Sequence, residues 1–165
     1  MKRLIVIILV IYIVAVCCKK PKVFSDVPKI EFDSFRIIDS TDALGAKKFG
    51  ILSFSFVDGD GDIGLTDADT IPPFDTSSIY YHDLFIDMFR KVNGNYDTIK
   101  LLAPYYYRLP YYVSTGSDKA VQGRIIIDMI MPIPAPSDTM ELRFYIYDRA
   151  KHKSNTASSP DFLIK

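Results

Sequence analysis

Beyond residue 28 the hydrophobic positions follow a period of two, and no stretch sustains a helical period. In Gly50–Val57, Leu52, Phe54 and Phe56 alternate with Ser53 and Ser55, the pattern of a strand with one face in a core. Leu84, Ile86 and Met88 alternate with Phe85, Asp87 and Phe89 before Lys91. Leu142, Phe144, Ile146 and Asp148 alternate with Arg143, Tyr145 and Tyr147. Arg124–Met131 is instead a continuous Ile/Met run, which predicts a strand buried on one face and partly covered on the other. Ile30–Ile38 and Asp161–Ile164 are expected as the first and last strands. Turn chemistry separates these runs. Asn93-Gly94-Asn95 predicts a tight hairpin, Thr115-Gly116-Ser117-Asp118 a second turn, and Pro132–Pro136 an extended connector. Seven or so strands at this spacing predict an all-β antiparallel sandwich.

The N-terminus has a different pattern. Lys2 and Arg3 precede an unbroken apolar run from Leu4 to Val16, which ends at Cys17-Cys18 and is followed by Lys19, Lys20, Pro21 and Lys22. That run suits a signal h-region and falls short of the roughly 20 residues of a membrane span. Val14-Ala15-Val16-Cys17-Cys18 resembles a bacterial lipobox, in which a small residue precedes a diacylated cysteine. The resemblance implies cleavage and lipidation at Cys18, or at Cys17, whose preceding Val16 is bulkier than the motif prefers. The expected organisation is a signal peptide over 1–17, a lipidated tether over 18–28 and one domain over 29–165. Both cysteines lie at the membrane edge, so the domain carries no internal disulfide and depends on its core for stability. Acidic and basic residues balance, at 20 each, which removes the electrostatic basis for binding nucleic acid.

Glu141–Ala150, followed by Ser154-Asn155-Thr156-Ala157-Ser158, resembles the closing hairpin of immunoglobulin-like or fibronectin-type domains of secreted bacterial proteins. The stretch from Phe54 to Gly64 is similar to small Bacteroidetes-type lipoproteins of unassigned role, where a Phe-x-Phe strand enters an Asp-Gly-Asp-Gly-Asp-Ile-Gly turn. These resemblances imply an immunoglobulin-like β-sandwich anchored by lipid to the outer membrane. Lys19 and Lys20, standing where a surface-export signal would be acidic, imply a periplasm-facing orientation.

The turn itself carries chemistry. Asp58, Asp60 and Asp62 alternate with Gly59 and Gly61, and glycines permit the sharp folding that makes carboxylates converge. Converging carboxylates repel unless a cation neutralises them, and calcium accepts six to eight oxygen ligands in flexible geometry. The aspartates at positions one, three and five resemble EF-hand, dockerin and thrombospondin-repeat loops. However, Ile63 occupies the glycine position and Asp69 the terminal glutamate position, and no helices flank the loop. Asp67, Asp69 and Asp75 lie in the same long connection, and Asp67 and Asp69 are the expected additional ligands. The competing reading is a solvated turn whose aspartates cap backbone N–H groups.

Tyr105, Tyr106, Tyr107, Tyr111 and Tyr112 form a cluster suited to stacking on a glycan or a protein partner. Alternate members of such a run must equally face a core. Histidine occurs only as His82 and His152, and no nucleophile-elbow, zinc-protease or paired-cysteine motif is present. The expected function is therefore a non-catalytic, membrane-anchored accessory subunit of a cell-envelope assembly, stabilised by calcium. The alternative is a glycan- or ligand-capturing surface module built on the tyrosines.

Overall fold

In the computed structural model, residues 24–42, 45–112, 119–132 and 139–164 are described. The lipobox cysteines, the turn at 115–118 and most of the Pro132–Pro136 connector lie outside them. Alternation at the start of the domain produces a long antiparallel hairpin from β1 (Lys29–Asp42) and β2 (Gly45–Asp58). Ile30 and Phe32 face the core at even positions, whereas Phe35 and Ile37 do so at odd ones. A register shift between Phe32 and Ser34 makes that change of phase possible, since one extra residue turns the rest of the strand over. In β2 the inward series is Gly50, Leu52, Phe54 and Phe56, and it ends on Asp58.

The other described strands are β3 (Leu84–Val92), β4 (Asn95–Thr98), β5 (Tyr105–Tyr107), β6 (Val121–Ile130), β7 (Met140–Ile146) and β8 (Ala157–Ser158). One sheet has the order β1-β2-β6; the other runs β4-β3-β7-β8, with β5 also paired to β3. Placing the first, second and sixth strands opposite the third, seventh and eighth gives the β-sandwich that the strand spacing predicts, in the immunoglobulin/fibronectin-like arrangement that the resemblance of the closing hairpin implies. Phe54 and Phe144 meet across the layers with ring centroids 5.0 Å apart, at the centre of a core that also includes Leu52, Leu84, Ile86, Met88, Leu142 and Ile146. The predicted Asn93-Gly94 hairpin turn is present between β3 and β4, with φ of 51° and 84°. Positive φ at both positions defines a turn whose twist matches its flanking strands.

Two expectations need correction. The last strand is Ala157–Ser158 and not Asp161–Ile164; only Phe162 of the latter segment pairs, with Met140. Pro160 lies between, and a residue without an N–H cannot carry the ladder onward. The domain also reaches back before residue 29. Gly59 N–H donates to the carbonyl of Ser25 at 2.8 Å, and Pro28 is buried, so the residues just before β1 dock on the sandwich.

Candidate metal centre

Because β2 continues its inward alternation one residue past Phe56 and Val57, the Asp58 carboxyl enters the interior, fully excluded from solvent. Its Oδ2 accepts the N–H of Asp62 at 2.9 Å, closing the loop on itself. Gly61 makes the reversal possible. Its φ is +71°, and a Cβ there would lie 2.0 Å from the Lys119 carbonyl oxygen. Gly59 is needed for space, because a Cβ would stand 2.6 Å from the backbone of Phe24 and Ser25.

The loop brings one carboxylate oxygen of each of Asp58, Asp60 and Asp62 within 4.8 Å of the others. In all three residues Oδ1 is buried and has no hydrogen-bond partner. The opposite oxygen of Asp62 accepts Ala150 N–H at 3.0 Å, and its carbonyl accepts Arg149 N–H at 3.2 Å. An antiparallel bridge between Ile63 and Asp148 continues this contact. Asp148 is itself buried beside the cluster, with His152 donating its backbone N–H at 2.7 Å and its ring Nδ1 lying 2.9 Å from Oδ2.

Crowding of acids in a dry site has the expected electrostatic consequence. Burial pushes Asp58 up to about 7, and Asp60, Asp62 and Asp148 add to the rise. Asp62 is raised by burial and then by Asp148 and Asp60. Asp148 is also raised by burial, while hydrogen bonds from His152 oppose the shift. His152 is raised in turn by its bond to Asp148.

The remaining expected ligands go elsewhere. Asp69 takes both terminal nitrogens of Arg149, at 2.6 and 2.9 Å, and the Thr66 N–H and hydroxyl at 2.7 Å. These partners hold its carboxyl well below the usual range. Asp67 is exposed, and Asp75 caps Ser77. Among the described residues the group that could hold a metal ion is therefore Asp58, Asp60 and Asp62, with Asp148 behind it. Asp148 is the acid that sequence reasoning missed, because in the chain it reads only as the end of an alternating strand.

The tyrosines divide by alternation. Tyr105 is buried with its hydroxyl donated to the Ile130 carbonyl, and Tyr107 is half-buried against the core. Tyr106 points outward, where Phe85 lies between it and Tyr145 at 4.8 and 5.2 Å. Tyr111 approaches the Arg149 guanidinium at 4.9 Å, and Tyr112 is exposed. His82 contacts Tyr81, Phe85 and Tyr106 rather than the acidic loop. Asp83 lies apart from the cluster: Oδ1 accepts Leu109 N–H at 2.6 Å, Oδ2 is buried without a partner, and burial pushes the carboxyl up to about 7.

No protein-family model, curated protein or solved structure matches this chain. Fold and site together define a class of molecule: an antiparallel β-sandwich with a partly buried triple-aspartate loop that could hold a metal ion.

Proposed function

We propose that this chain is a non-catalytic, lipid-anchored β-sandwich whose long connection between β2 and β3 is fixed by a structural divalent cation at Asp58, Asp60 and Asp62. The observation that carries the reading is that Asp58, Asp60 and Asp62 each bring a carboxylate oxygen within 4.8 Å of the others, while each also holds a buried Oδ1 with no hydrogen-bond partner. A buried polar atom left unpaired costs roughly 1–3 kcal/mol, more when charged, so three together favour an occupant that neutralises them. All-oxygen donors favour a hard cation. Calcium, which accepts oxygen ligands in flexible geometry, suits an irregular loop better than magnesium, which demands a near-ideal octahedron.

The role is architectural. The cluster joins the end of β2, the docked tether at Ser25 and the Asp148–Ala150 corner after β7. Calorimetry of the full chain in chelator, calcium and magnesium tests this. A calcium concentration 100-fold above Kd stabilises the fold by about 2.7 kcal/mol. Melting that is identical in chelator and calcium sinks the reading.

The proposed setting is the outer membrane, facing the periplasm, as an accessory subunit of an envelope assembly. It rests on the Lys2–Cys18 pattern. Intact mass of protein from a bacterial host tests it: a diacylated chain beginning at Cys18 (or Cys17) supports the anchor, and an unmodified chain retaining Met1 refutes it.

A further inference from the structure

The two edges of the three-stranded sheet are treated differently. Along β1 the edge is broken by the shift at Phe32/Ser34 and carries Lys29, Glu31, Asp33 and Arg36 on exposed positions. It is also closed onto the other sheet, since the Asn155 side chain both accepts Ile30 N–H and donates to the Ile30 carbonyl, each at 2.9 Å. These are the usual devices that keep a sheet edge from recruiting another chain.

β6 carries exposed Arg124 and Asp128 but has no register shift to break its edge. It pairs with β2 in unbroken register from Val121 to Ile130, and among the described residues no backbone pairs with its other side. Among the described residues, the Ile130 carbonyl at its end is the one taken, by the Tyr105 hydroxyl. Its outer face presents Arg124, Ile126, Asp128 and Ile130, with Ile126 62% and Ile130 56% exposed. Next to this edge runs a groove of about 410 Å³ whose apolar lining includes Phe56, Ile63, Leu109, Val121, Ile125 and Ile127. An isoleucine-rich edge beside an apolar groove is a template for an added strand.

The charges on the edge select the strand. Arg124 and Asp128 lie two residues either side of Ile126 and share its face. In an antiparallel pairing about a two-fold axis at Ile126, Arg124 stands directly opposite the partner's Asp128, and Asp128 opposite the partner's Arg124. Ile126 meets the partner's Ile126 between them, and Ile125 faces the partner's Ile127 on the core side. Opposite charges facing each other across strands are stabilising, and a self-complementary patch is what an isologous two-fold interface requires. Arg124 already reaches Asp33 at 2.9 Å, yet its side chain remains 65% exposed and accessible to a second carboxylate. We propose that this edge is a homodimer interface, joining β6 to β6 of a second copy in a continuous six-stranded sheet.

The test is a charge swap read by the mass of the full chain in detergent. Wild type is expected to be dimeric. R124E and D128R alone each place two like-charged pairs across the axis and are expected to be monomeric, with dissociation constants raised at least tenfold. Mixing the R124E chain with the D128R chain restores opposite charges at both positions and is expected to restore the dimer, as is the double variant. A wild-type circular dichroism spectrum and a cooperative melt verify that the single variants fold, their melting temperature falling only as loss of the dimer requires. Monomeric wild type overturns the proposal, as does a dimer indifferent to either substitution, a mixture that stays monomeric, or a stoichiometric complex with a different protein on this edge.

Discussion

Replacing Asp60 by Asn separates a cation site from a solvated turn, because the two readings demand opposite signs. Asp60 makes no hydrogen bond through its buried Oδ1, so the substitution breaks no pairing there. In chelator the change removes one charge from a group whose oxygens lie within 4.8 Å of one another. At an effective dielectric of about 20, a pair of unit charges at that separation repels by roughly 3 kcal/mol. Asp58, pushed up to about 7 by burial, is only partly ionised near neutrality, which reduces the relief to about 1–3 kcal/mol. The introduced amide can also donate to the orphaned oxygens of Asp58 and Asp62. At about 2–4 °C per kcal/mol for a domain of this size, D60N should melt roughly 2–12 °C above wild type in chelator. In saturating calcium wild type gains and the variant, short of one anionic ligand, gains little, so the difference closes or reverses. Differential scanning calorimetry at pH 7.5 in the two buffers reads both. If D60N melts lower in chelator, or keeps the full calcium response, the converging oxygens are not the origin of the effect.

Other substitutions test separate parts of the argument. Asp83 has a folded value of about 7, above the ordinary 3.8, so the folded state holds its proton more tightly than the unfolded chain does. The stability this contributes is complete below about pH 4 and is lost as pH rises towards 7, up to about 4 kcal/mol. D83N stays neutral and should flatten that slope relative to wild type in denaturant titrations from pH 4 to 7; an unchanged slope would contradict the assignment. Gly94→Ala and Gly61→Ala both place a side chain at positive φ, but only Gly61 has the Lys119 carbonyl in the way. Urea unfolding should show a loss of about 1 kcal/mol for G94A and at least 2–3 kcal/mol for G61A, with equal losses refuting the close approach.

Period-two alternation is a local property, so the sequence alone determined the strands around Phe54, Ile86 and Phe144, and with them the all-β class. The Asn93-Gly94 turn was equally legible, because positive φ at two successive positions is written in the residue types. Convergence of Asp58, Asp60 and Asp62 was visible for the same reason, being short-range and glycine-dependent. What the tertiary structure decided were partnerships between segments far apart in the chain. Asp69 looks like a ligand until the fold delivers Arg149 to it, and Asp148 looks like a strand residue until the β7 corner sets it behind the loop. Tyr105 and Tyr106 differ only in which sheet face each meets. The run Ile125–Ile127 predicts partial cover on its second face, but the layering leaves Ile126 in solvent and the outer edge of β6 without a neighbour among the described residues. Burial and edge position depend on which elements pack together, and that is settled only when the whole chain closes its core.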